Sequence, residues 1–280
     1  MSRSKRSSIA FQGEPGAFSF SAATKLLGKT VPKVPCESFK HVFEALKSDA
    51  VRYAIVPIEN TLHGSIHENY DYLLQYNFSI SGETSIRISH HLIGLPGMRL
   101  SAVREVFSHP VALNQCRDFF SKHARITPKS FYDTAGSVKM LAEARPPFAA
   151  AIASATAAEI YGCRILKRNL EDDRRNFTRF FLLSKQAKMR PRAGARWKTT
   201  VAFSTANSPG ALFRAMGCFA LRDLNLTKIE SRPLARKPWE YLFYLDVVGS
   251  QHDPVVSRAL SNLREMSSFL RVLGSYQPTL

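Results

Sequence analysis

Between Arg174 and Leu183 the chain reads RRNFTRFFLL, with a hydroxyl at Thr178 and a permanent cation at Arg179 beside an otherwise apolar run. Phe180 to Leu183 has the composition of a core strand, which puts the two polar residues at its entrance. A guanidinium offers a rigid two-pronged fork to a carboxylate and stays charged at any working pH. An alcohol is too weak an acid to surrender its proton outright, yet it stabilises an oxygen on which charge is building. Together they suit a reaction that clamps an anion while an oxygen departs. A strand end with a solvated arginine is the plainer alternative.

Other polar residues gather where open α/β folds collect ligands, at the carboxyl ends of strands and at helix N-termini. GEPGAFS follows the first strand, PIENTLHGS closes another, SHPVALNQC a third, and ASATAAE opens a helix directly after a strand. Asn60, Ser108, Gln115 and Ser154 would each be an ordinary cap, turn or exposed helix residue alone. Together they describe a ring of neutral hydrogen-bonding groups around one cleft. His63 and His67 stand four apart and His90 and His91 are adjacent, but no carboxylate or cysteine completes a metal set, so ordinary histidines are favoured. GEPGAFS lacks the glycine spacing of a dinucleotide-binding loop. Asp172 and Asp173, next to Arg174 and Arg175, read as a solvated loop.

The elements that must hold these residues follow from pattern. Strand and helix signals alternate as far as residue 185. A strand at SSIAFQG leads through a turn into a helix carrying Phe18, Ala22, Leu26 and Leu27. Ser38 is the N-cap of a helix with Phe39, Val42, Phe43 and Leu46 on one face, and Tyr53 to Ile58 is the next strand. Ile66, Tyr70, Leu73 and Leu74 share a helix face. Further helices open at Pro110, Thr134 and Ala155, each after a strand. The expected class is α/β with a largely parallel sheet. A basic, Pro- and Gly-punctuated linker spans 186–197. Residues 198–280 then run strand, helix, strand, strand, helix, strand, a ferredoxin-like βαββαβ unit.

Totals narrow the class. The 280 residues are 45% hydrophobic and 22% charged, as in an ordinary globular protein of about two domains. No apolar stretch approaches the roughly 18 residues of a membrane span. The formal charge of +17 permits nucleic acid, an acidic membrane or a small anion as partner. The basic residues form no run and no nucleic-acid signature, so neither nucleic acid nor membrane is expected, and the charge hints weakly at an anionic ligand. Cys36, Cys116, Cys163 and Cys218 are scattered, which indicates no disulfide framework and a reducing compartment. Little room precedes Ile9 for a signal or transit peptide. A cytoplasmic location is therefore expected.

GEPGAFS, PIENTLHGS, SHPVALNQC, YDTAGS, AAIASATAAEIYG and NFTRFFLL, in that order, resemble the motifs of prephenate dehydratase, and the tail resembles the ACT domain of that family. SPGALF and ESRP in the tail resemble its phenylalanine-binding signatures. GSIHENYDYLL and SSFLRVLGSY look nearer to the branch that contains plant arogenate dehydratases. The resemblance spans Ile9 to Tyr276. It implies a two-lobed, periplasmic-binding-protein-like catalytic domain over 1–185, with lobes of about 1–80 plus 165–185 and of 81–164, followed by an ACT regulatory domain. The implied reaction turns prephenate into phenylpyruvate on the route to L-phenylalanine, with aromatisation as driving force and no metal or organic cofactor. Arogenate as substrate and a non-catalytic ligand sensor are the alternatives.

Carried over residue by residue, Thr178 acts on the leaving hydroxyl and Arg179 clamps a carboxylate. Asn60, Ser108 and Gln115 orient the substrate, and Glu59 is the nearest proton donor. Thr61, Gly64, His109, Ser154 and Phe180 complete the substrate site. Asn207, Pro209, Gly210, Ala211 and Leu212, with Glu230, Ser231, Arg232 and Pro233 opposite, would hold phenylalanine. ACT modules pair, so a homodimer or homotetramer is expected.

Overall fold

A computed structural model describes residues 8–186, 196–233 and 241–279. The chain divides into two compact units: one comprises the residues up to Tyr72 with Thr84–Leu182, the other Leu73–Glu83 with the residues from Leu183 onward.

The first unit is built on two sheets. One includes, in order, Phe177–Ser184, Tyr53–Asn60, Ile9–Gln12, Lys33–Cys36, and Ile9–Gln12 is parallel to both its neighbours. The other runs Arg164–Lys167, His91–Gly94, Ala149–Ala153, Glu105–Ser108, Thr127–Ser130. Here Glu105–Ser108 is parallel to its neighbours but His91–Gly94 is antiparallel to both of its own. This second sheet is thus mixed where alternation suggested a largely parallel arrangement. The reason is the helix Ala155–Ile160, which joins two strands of like direction and leaves a place between them. His91–Gly94 fills that place from the opposite direction.

Local signals set the helices. Ser38 accepts the His41 N–H at 3.3 Å and caps Phe39–Lys47, which buries Val42, Phe43 and Leu46. Asp133 accepts the Gly136 N–H at 2.7 Å to cap Thr134–Ala144. Ser154 accepts the Ala157 N–H at 3.0 Å to cap Ala155–Ile160. Pro110 opens a helix that ends at Asn114. Below Phe18–Leu27, Ile9, Phe11, Ile55, Phe180 and Leu182 form one buried cluster, each large side chain contributing about 1.5–3 kcal/mol relative to exposure.

The second unit carries an antiparallel sheet in the order Leu226–Pro233, Tyr241–Val248, Lys198–Ser204, Phe269–Tyr276. With helices Ala211–Ala220 and Pro254–Met266 it follows the expected βαββαβ order. Val201, Phe203, Phe219, Leu245 and Leu263 pack between the helices and the sheet. The first helix begins after Gly210, whose φ of +74° closes the turn that precedes it. Arg271 donates to the carbonyls of Leu73, Leu74 and Phe78, and Lys198 pairs with Glu83. Most of the expected linker, 187–195, lies outside the described residues. Among the described residues no helix is long and apolar enough to cross a membrane.

Candidate active site

Successive side chains of a strand point to opposite faces, and this rule organises the site. Along Phe177–Ser184, Thr178 and Phe180 face a cavity of about 560 Å³, a size suited to a small organic ligand. Arg179 and Phe181 face the other way. The Arg179 guanidinium lies 4.8 Å from the centre of the Phe181 ring, and its Nη1 is 3.6 Å from Glu59 Oε2. Neither Arg179 nor Glu59 lines the cavity. Thr178 thus lines the cavity where Arg179 does not, and Glu59 stands with Arg179 rather than with Thr178. Adjacent residues of a strand cannot both look into the same cavity.

Asn60 is the hub of the wall. Its Nδ2 donates to Thr178 Oγ1 at 3.0 Å, to Asn176 Oδ1 at 2.7 Å and to Phe177 O at 3.2 Å. Its Oδ1 accepts the N–H groups of Leu62 and His63, both at 3.0 Å. Gln115 lies 2.8 Å from His90 Nε2 and 3.3 Å from His63 Nδ1. His90 is 2% exposed. Burial lowers its pKa, against the weaker raising effect of the Glu171 charge, and keeps the ring neutral. His109 also lines the cavity, its Nδ1 accepting the Val111 N–H at 3.2 Å.

Four expected residues stay out of the wall and serve the scaffold instead. Ser108 is fully buried and donates to Ile152 O at 2.6 Å. Ser154 donates to Gly16 O at 2.6 Å while capping its helix. Thr61 donates to Arg175 O at 2.7 Å and accepts the Phe177 N–H at 2.9 Å. Gly64, with φ of +76°, lets Gly64–Ser65 fold back onto Glu59 and Asn60.

The wall holds other groups that sequence reasoning passed over. His63, His90, Glu68 and Asp133 are in it, as are Phe18 and Ser19 at the start of a ten-residue helix with no side-chain cap. Among the described residues that line the cavity there is no lysine or arginine. The hydrogen-bond donors it offers are open backbone N–H groups of that first turn and imidazole N–H groups. Asp133 is 8% exposed, and burial raises its pKa against the lowering effect of the backbone donors at Gly136 and Ala135. The spacing of His63, His67, His90 and His91 suggests only metal ligation, whereas His63 and His90 belong to a hydrogen-bonded chain through Gln115. The described residues contain no group of three or more side chains suited to hold a metal.

In the second unit, the register aligns Ser204, Leu242 and Arg232 across three strands. The turn from Asn207 to Leu212 thus leaves the sheet at the end where Glu230, Ser231, Arg232 and Pro233 close its edge strand. Arg214 braces that turn, donating to Pro209 O at 3.1 Å.

Comparisons with known proteins agree with this architecture. The family model described as prephenate dehydratase matches residues 9–188. Arogenate dehydratase/prephenate dehydratase 2, chloroplastic, from Arabidopsis thaliana is 43% identical over 285 residues, covering 99% of this chain and 74% of its own length. Arogenate dehydratase 2 from Petunia hybrida is 42% identical, covering 96% of this chain and 71% of its own. The solved prephenate dehydratase of Arthrobacter aurescens, in complex with L-Phe, is 31% identical with a TM-score of 0.86, over 98% of this chain and 92% of its own. A protein described as GqqA, a novel type of quorum quenching acylase, is 35% identical with a TM-score of 0.88, over 97% and 98%. The expected cytoplasmic location is overturned by the Arabidopsis relatives, which are described as chloroplastic. Free cysteines do not say which compartment holds the protein.

Proposed function

We infer, from the premise that this chain belongs to the prephenate dehydratase family, that the cavity around Thr178 converts prephenate to phenylpyruvate by decarboxylating dehydration. The contact that carries this reading is Asn60 Nδ2 to Thr178 Oγ1 at 3.0 Å. Because the Thr178 oxygen accepts from Asn60, its own hydrogen is left to donate toward a bound oxygen. That bond strengthens as the ring hydroxyl departs with negative charge, so it favours the transition state over the bound substrate. The open first turn of Phe18–Leu27 and the imidazoles of the wall supply donors for the two carboxylates. Phe180 and Phe18 provide an apolar surface for the ring as it becomes aromatic. The residues assigned are Thr178, Asn60, Gln115, His109 and Phe180. Ser108, Ser154, Thr61, Gly64, Arg179 and Glu59 support the strands and turns that hold them.

The two sheets of the first unit correspond on this reading to the lobes of a periplasmic-binding-protein-like catalytic domain over 1–185. Residues 198–280 form an ACT domain, joined by the segment 186–197. L-phenylalanine is its effector, which the solved relative in complex with L-Phe supports, and its binding residues on this reading are Asn207, Pro209, Gly210, Ala211 and Leu212 with Glu230, Ser231, Arg232 and Pro233. The chain assembles as a homodimer or homotetramer.

A second substrate is favoured by the curated relatives, several of which are arogenate dehydratases. Arogenate carries an ammonium where prephenate carries a keto oxygen. Supplying each substrate and measuring phenylpyruvate and phenylalanine separately tests both readings. A higher kcat/KM with prephenate supports the assignment, a higher value with arogenate transfers the same chemistry to the amino substrate, and no turnover of either overturns it.

A further inference from the structure

The reaction inferred above consumes one proton, and the cavity wall that must deliver it holds three imidazoles and, among its described residues, no lysine or arginine. We propose that His63 is the proton donor to the departing hydroxyl, an assignment that rests on the dehydratase reading.

The hydrogen-bond pattern fixes where the protons of this ring sit. Asn60 Oδ1 accepts two backbone N–H groups at 3.0 Å, so the oxygen end of that amide faces the His63 loop. His63 Nδ1 is 3.1 Å from the same oxygen. Two lone pairs at that separation repel, so Nδ1 carries a hydrogen and donates it. Gln115, 3.3 Å from Nδ1, must then turn its own amide oxygen to His63 and its NH2 to the neutral His90, whose Nε2 is 2.8 Å away. With that assignment every contact from Thr178 through Asn60, His63 and Gln115 to His90 is attractive. His63 Nε2 has no hydrogen-bond partner among the described residues. One nitrogen is anchored by two oxygens, and the other is left for a ligand.

That division suits a general acid. Imidazole is the side chain that exchanges a proton near neutral pH, and an Nδ1–H fixed by oxygen acceptors holds the ring in place through both halves of the exchange. The step balances as follows. The bond from the ring to its carboxylate breaks, its electron pair enters the ring, and CO2 leaves. The carbon–oxygen bond across the ring breaks with its pair on oxygen, and the Nε2 proton passes to that oxygen, which leaves as water. The dianion plus one proton has become a monoanion, CO2 and water, and the neutral imidazole takes a new proton from solvent. Thr178, two links away along the same chain of hydrogen bonds, orients the departing oxygen.

Other titratable groups line the same cavity: Glu68, His90, His109, Tyr132 and Asp133. On the adjoining segment Asp173 is paired with Arg175 at 2.9 Å.

The test compares the full chain with His63→Gln and His63→Asn, measuring kcat and KM across about pH 5.5 to 9. Asparagine keeps an N–H where Nδ1 donates, and glutamine keeps one near Nε2, but neither carries an exchangeable acid proton. The wild type should lose kcat as pH rises through the imidazole range. Both variants should fall about 10²-fold in kcat, lose that limb, and keep the wild-type melting temperature and most of their substrate affinity. Variants with wild-type kcat, or with reduced kcat and the limb retained, overturn the proton-donor role while leaving the dehydratase reading intact. A wild-type chain that turns over neither prephenate nor arogenate overturns both.

Discussion

Thr178 and Arg179 are neighbours in sequence and lie on opposite faces of one sheet: the hydroxyl accepts from Asn60 Nδ2 at 3.0 Å at the cavity wall, and the guanidinium sits 3.6 Å from Glu59 on the other face. The residue placed to touch a substrate is thus separated from the cation that braces its strand. An anionic substrate must be held by weaker, more numerous donors than a single arginine fork.

Replacing Arg179 with methionine tests that separation. Its side chain is 14% exposed and Glu59 is 37% exposed, so losing the pair should cost about 1 kcal/mol or less and lower Tm by about 2–4 °C. KM for prephenate should stay within about threefold. A lost hydrogen bond to a bound carboxylate, about 1.5–3 kcal/mol, would raise KM about 10-fold or more. A KM rise of that size with Tm unchanged would return Arg179 to the substrate.

The buried His90 sets a pH window for stability. Its folded pKa is lowered, first by burial, so between that value and about 6.5 the unfolded chain binds a proton that the folded chain refuses. Its contribution is complete above about pH 6.5 and is lost as pH falls toward the depressed value. His91 is shifted the same way, by burial and then by the Arg168 charge. Melting curves of wild type and His90→Gln between about pH 8 and 5 check this. The variant should show a flatter decline, and parallel curves would rule out His90 as the source.

Gly16 sits where the loop before Phe18–Leu27 meets the helix Ala155–Ile160. Its φ is +94°, and a Cβ would lie 2.6 Å from Ala157 Cα and 2.9 Å from Ala157 Cβ. Gly16→Ala should therefore cost about 3 kcal/mol or more in urea unfolding. Gly28 has φ of +86° but nothing within 4 Å of the added carbon, so Gly28→Ala should cost only the backbone strain, about 1–2 kcal/mol. Equal losses would mean that the contact with Ala157 relaxes freely.

Much of this organisation was legible in the residues. Ser38 before an apolar helix face, Pro110 after a strand, and the βαββαβ order of the tail each rest on a local rule that tertiary contacts did not override. The direction of His91–Gly94 was hidden, because it depends on which strands leave a vacant place between them. The strand rule that separates Thr178 from Arg179 was available, but adjacency in a motif suggested a shared task. Ser108 and Ser154 show the complementary limit: hydroxyls at strand ends look alike in sequence, and only packing shows that these two spend their donors on Ile152 O and Gly16 O. For His63 and His90 the missing third ligand excludes a metal site, whereas a relay through an amide needs none.

The most direct test is Thr178→Val, isosteric and without the hydroxyl, assayed for release of phenylpyruvate and for prephenate binding. Turnover should fall about 10²- to 10³-fold with binding nearly unchanged, while Thr178→Ser keeps measurable activity. Wild-type turnover in the valine variant would contradict the central claim that this hydroxyl, held by Asn60, acts on the departing oxygen.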